Sequence, residues 1–135
     1  MGKDKLGEHF INGRALISKV FTYSGFYPNG DEFERQILGT YCFGVINGYA
    51  MENRLHPGEA HGLMLSLLIR MFGYGTEAAA GFCEELIRST DIKYNETMYA
   101  IIHRGLEGYF MLKKEDSIAL KNDVEEVMRV VKGDA

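Results

Sequence analysis

The stretch HPGEAHGLMLSLLIRMFGYG, from His56 to Gly75, constrains the fold of this chain more than any other. Pro57 suits the first position of a helix, where a missing N–H has no consequence, and Gly73 suits the left-handed residue just past its end. Between them Leu63, Met64, Leu65, Leu67, Leu68, Ile69, Met71 and Phe72 are apolar on more than half of the helix circumference. A helix of that kind has to be covered on most sides, so residues 57–72 are expected to form the centre of an all-α core.

The flanking segments carry the same 3.6-residue period. A first helix is expected from Lys5 to Tyr23, with Leu6, Phe10, Ile17, Val20 and Phe21 on one face. After the break SGFYPNGD, Asp31 is placed to cap a second helix, Glu32–Met51, with Glu34 three positions on as in a capping box. Its buried face runs through Phe33, Ile37, Tyr41, Val45 and Gly48, and Gly44 with Gly48 makes a small patch that another helix could approach closely. A fourth helix is expected from Glu77 to Arg88 with Thr76 as its cap, and a fifth from Asn95, its cap, to Leu112, with Tyr99, Ile102, Leu106, Tyr109 and Phe110 on the apolar face. The sixth starts near Asp116 or Ser117 and repeats Leu120, Val124, Val127 and Val131, and the closing KGDA is expected to fray. Strand alternation is absent, so the fold class is all-α: a single compact domain, residues 1–135, of about six main helices around the 57–72 helix.

Composition narrows the partners. The net charge is −4, which disfavours direct nucleic-acid binding because phosphate contacts need clustered Lys and Arg, and leaves a basic protein partner open. No run of about 18 apolar residues is present and the start MGKDKLGEHF lacks a signal peptide's apolar centre, so no membrane association and a cytoplasmic location are expected. Cys42 and Cys83 stand singly within apolar helical segments, which reads as two buried free thiols without metal.

Candidate chemistry is sparse. His56, Glu59 and His61 do not share a helix face at the i, i+4 spacing of a zinc pair, so no metal site is expected there. His103 and Glu107 are four apart and could meet as a base with its orienting carboxylate, yet no nucleophile accompanies them. The turn FGYGT has the glycines of a phosphate loop without a following Lys-Ser or Lys-Thr. No catalytic residue, cofactor or enzymatic activity is assigned. The carboxylates are more suggestive: Asp31, Glu32 and Glu34 cluster at one helix start, Glu52 lies at that helix's far end and Glu59 opens the next. With tyrosines expected to be exposed at Tyr23, Tyr27 and Tyr74, the candidate partner-binding set is Asp31, Glu32, Glu34, Tyr27, Glu52, Glu59 and Tyr74.

GYA at 48–50, LHP at 55–57, the Leu-rich helix ending in FGY at 72–74 and AAAGF at 78–82 make residues 41–88 resemble an all-helical family of bacterial immunity proteins. Such proteins accompany the toxins of contact-dependent growth inhibition and other polymorphic toxin systems. The resemblance implies binding to a cognate toxin domain, often a nuclease, whose active site is occluded. Its motifs are core and turn residues, so it carries over no binding residue. The residue-level reading leaves open a helical adaptor or regulatory protein, and an enzyme or small-ligand binder using His61 or His103. An acidic inhibitor would suit a basic nuclease, because complementary charge accelerates encounter.

Overall fold

Short-range side-chain chemistry starts half of the helices. Asp31, Asn95 and Asp116 each accept a hydrogen bond from a backbone N–H three residues on, at 2.8, 3.0 and 3.0 Å, and so satisfy a donor that the first helical turn leaves over. The computed structural model describes residues 2–133, with side chains from residue 7 onward, and contains α1 (Gly2–Ser24), α2 (Glu32–Glu52), α3 (Pro57–Arg70), α4 (Thr76–Arg88), α5 (Glu96–Lys113) and α6 (Ser117–Val131). No strand occurs among the described residues, and the expected all-α class holds. The Leu6 side chain and the last two residues of the KGDA tail lie outside the described set. Gly73, at φ +76°, takes the left-handed position after α3 as its sequence context demands. Gly75, not Thr76, caps α4, and Thr76 is its first residue.

The central element is α2, which corrects the expectation that the 57–72 helix holds that place. Every residue of α2 from Ile37 to Ile46 is buried, around the whole circumference. In α3 the fully buried residues are Ala60, Leu63, Met64, Leu67 and Leu68, a single stripe, while Leu65 and Ile69 are only half-covered. Hydropathy favours α3, but neighbours decide burial, and α2's small residues admit those neighbours. A Cβ on Gly44 would overlap the Ile102 carbonyl oxygen, and one on Gly105 would overlap that of Tyr41, so the α2 and α5 backbones touch at a Gly–Gly crossing. Among the described residues this is the most extensive packing between two helices. Phe33, expected on the buried face of α2, is 50% exposed, because that face is not covered at its first turn, and Phe110 is likewise half-exposed near the end of α5. Cys42 and Cys83 are free and buried, as the sequence suggests.

Candidate partner-binding surface

The start of α2 gathers four of the predicted residues. Asp31 is occupied as the helix cap. Glu32 accepts hydrogen bonds from the Arg35 Nη2 at 2.6 Å, from Gln36 at 3.2 Å and from the Tyr74 hydroxyl at 2.9 Å. Arg35 in turn lies 3.9 Å above the Tyr74 ring and donates to the Phe72 carbonyl at 2.9 Å, which ties the start of α2 to the turn after α3. Partial burial pushes the Glu32 carboxyl up, but the Tyr74 hydroxyl and the Arg35 guanidinium outweigh it, and the net direction is down. Burial, with the Glu32 carboxylate beside it, pushes the Tyr74 hydroxyl up to about 12. Glu34 pairs with Lys132 at the end of α6.

Tyr27 is 48% exposed, with its ring tilted against Phe21 at 5.7 Å. Tyr74 is a correction: it is buried, because the Glu32–Arg35 pair and Phe82 enclose its ring. Tyr23 is half-buried against the core.

The remaining two predicted residues are elsewhere. Glu52 lies twenty residues along α2 from Glu32, a separation of about 30 Å at 1.5 Å per residue. Its carboxylate accepts from the Lys113 Nζ at 2.7 Å and from the Tyr109 hydroxyl at 2.6 Å, and the Lys113 ammonium holds its carboxyl below the usual range, with Tyr109 second. Glu59 accepts from the His56 backbone N–H at 2.8 Å and serves as the capping residue of α3. The predicted set therefore divides into two patches at opposite ends of α2, and every carboxylate in it also has an intramolecular bond.

A groove that residue patterns did not disclose adjoins the first patch. It has a volume of about 840 Å³ and runs between α2 and α4 over the start of α5 and the end of α6. Ile37, Phe82, Met98, Ile101 and Val131 provide apolar lining, and Glu32 and Glu85 are the charged groups on it. Glu85 accepts from the Tyr94 hydroxyl, whose ring lies near Arg88. A second cleft shares Thr97, Ile101 and Val131 with the groove and adds Glu96, Arg104 and Glu126. The one sequence signal of this groove was Phe33 beside Glu32, an aromatic in an acidic first turn, and helical periodicity assigned it to the core.

His61 and His103 line one cleft of about 340 Å³ between α2, α3 and α5, which is the arrangement a ligand-binding role for them requires. No carboxylate is among the residues lining it, and the His103 ring lies tilted against that of Tyr99, with centroids 4.3 Å apart. An orienting acid for either imidazole is missing from the cleft, so general-base chemistry has no support in its geometry. Among the described residues no group of three or more His, Cys, Asp or Glu side chains is placed to hold a metal ion.

One ionisable cluster escaped the residue patterns altogether. Asp123 of α6, 8% exposed, accepts from the Tyr41 hydroxyl at 2.7 Å and from the Arg104 Nε at 2.7 Å, and Arg104 also reaches Glu126 at 2.7 Å. Burial and the Asp123 carboxylate push the Tyr41 hydroxyl well above its ordinary range. The cluster bonds α2, α5 and α6 to one another and leaves no buried side-chain polar atom unsatisfied among the described residues.

A helical protein with internally bonded polar groups and an open, acid-edged groove belongs, on comparison with known families, among the bacterial immunity proteins of toxin systems. The family model described as Immunity protein 48 matches residues 12–132, and the chain belongs to that family. The span includes residues 41–88, where the resemblance to immunity proteins was first visible. No curated protein and no solved structure matches the chain. No helix among the described residues is long and apolar enough to cross a membrane.

Proposed function

We propose that this protein neutralises a cognate toxin domain by binding it stoichiometrically and covering its active site, and that the contact centres on the acidic end of α2 with Tyr27 and the adjoining groove. Membership of an immunity family carries the reading, since such a family implies a toxin partner. The surface supports it: a net charge of −4 suits a basic partner such as a nuclease, which holds positive charge for its own substrate. The carboxylates at the start of α2 act as a fixed acidic field rather than as free side chains, because caps and ion pairs hold them in place. Such preorganisation lowers the entropy lost on association. The action is inhibitory binding rather than catalysis, in the compartment where the toxin would act, the cytoplasm.

Co-expression with the toxin domain encoded beside it, followed by calorimetry of the purified pair, tests the reading. Protection of the cells and a 1:1 complex are expected. Cell death despite the intact protein, or no heat of binding, would sink it, and a complex without protection would favour an adaptor role.

A further inference from the structure

We infer that the groove between α2 and α4 receives a basic amphipathic helix of the toxin, about two turns long, with its apolar face on the groove floor and Lys or Arg at the acidic rims. This rests on the toxin-binding reading and specifies the contact.

Phe33 at the groove's edge is 50% exposed and Val130, beside the lining residue Val131, is 60% exposed, so large apolar groups crowd an open concavity. Its lining residues carry an excess of negative charge. Glu32 and Glu85 on the groove, with Glu96 and Glu126 on the cleft that continues it, give four carboxylates against the single guanidinium of Arg104. Arg35, Arg88 and Arg129 stand beside Glu32, Glu85 and Glu126 and offset part of that charge, while Arg104 is committed to Asp123 and Glu126. The acidic excess that is left favours a cationic occupant over an anionic one.

The shape selects a helix. The walls are helices whose backbone groups are already bonded, so an extended strand finds no ladder to join. A helix about 10 Å across and two turns long is of the same order of size as the open groove of about 840 Å³.

Gly81 offers a direct test. It lines the groove on α4, and a Cβ there meets nothing within 4 Å, so Gly81→Phe can start a bulky side chain from open space, at a helical position where Phe is no worse a helix former than Gly. Gly62→Phe is the control, since Gly62 is equally open on α3 and lies off the groove. Phe33→Ser provides a second groove variant at an exposed site.

The probe is a fluorescein-labelled peptide of Leu and Lys at amphipathic helical spacing, roughly 18 residues long, with a twin carrying Glu in place of Lys. Anisotropy titration should give saturable binding of the Lys peptide to the wild-type protein and to Gly62→Phe. Gly81→Phe and Phe33→Ser should each weaken it by about tenfold, and the Glu twin should bind no better than those variants. Equal binding to Gly81→Phe and wild type, or equal binding of the two peptides, overturns the inference. The toxin domain provides the second arm. Undiminished binding of that domain by Gly81→Phe overturns the inference while toxin binding stands. Failure of the wild-type protein to bind it overturns the functional reading, and the peptide titrations still decide the groove.

Discussion

Tyr74 shows how one side chain can be misjudged from sequence and still sit where function was expected. Its neighbours Gly73 and Gly75 suggest an exposed turn, yet the ring is buried under Arg35 and its hydroxyl reaches Glu32, forty-two positions earlier. No local pattern could encode that contact, because the two residues meet only once α2 and the α3–α4 turn have packed. The bond has a pH signature. A hydroxyl held up to about 12 in the folded state, against about 10 unfolded, stabilises the fold fully below pH 10 and loses that contribution as pH rises toward 12. Urea unfolding between pH 9 and 11.5 should show stability falling with pH, and Tyr74→Phe should flatten part of the fall. The rest should remain, because Tyr41 and Tyr109 are shifted in the same direction. An identical slope in the variant would dissociate Tyr74 from the effect. Core packing was easier to anticipate. Leu68 is fully buried, and Leu68→Ala should cost about 2–5 kcal/mol by removing methyl groups and leaving a cavity, measurable as a lower denaturant midpoint.

At the scale of the helix, what was legible is what acts over a few residues. The caps at Asp31, Asn95 and Asp116 and the left-handed Gly73 work within one turn, and the sequence displays them directly. The Gly44–Gly48 patch announced a close approach without naming the approaching helix, since α5 offers its own Gly105 and Gly108 sixty residues later. For the same reason apolar content pointed to α3 as the centre. Burial of α2 depends on a crossing that exists only in three dimensions.

The crossing predicts opposite outcomes for one chemical change at two sites. Gly44→Ala gains helix propensity but forces its methyl into the Ile102 carbonyl, so it should destabilise by about 3 kcal/mol as the helices separate. Gly81→Ala, in open space on α4, should stabilise by about 0.5–1 kcal/mol. Thermal unfolding of the two variants side by side is sufficient, and a common sign would contradict the close-packed crossing. With α2 in contact with α1, α3, α5 and α6, the chain is expected to unfold in a single cooperative transition as one domain.

For the whole molecule, the question is which end of α2 meets the toxin. Charge reversal at Asp31, Glu32 and Glu34 would confuse binding with folding, because it would remove a helix cap, the Glu32–Arg35 pair and the Glu34–Lys132 pair together. Neutral isosteres separate the two effects. Asp31→Asn keeps a good cap, Glu32→Gln keeps an acceptor for Tyr74, and Glu34→Gln removes charge with little change of shape. The triple variant should retain its helical circular dichroism. If this end is the contact, its association with the toxin domain should slow by about tenfold at low salt, with a shallower dependence on ionic strength, while dissociation changes less. The far patch provides the counter-test. Glu52→Gln with Glu59→Gln preserves the capping geometry of α3 and lies about 30 Å away, several Debye lengths at physiological ionic strength. At physiological ionic strength, stopped-flow association should therefore be insensitive to the far pair and still sensitive to the near triple. The reverse order would move the contact to the Glu52 end of α2, and equal sensitivity at both ends would mean that the toxin spans the full length of the helix.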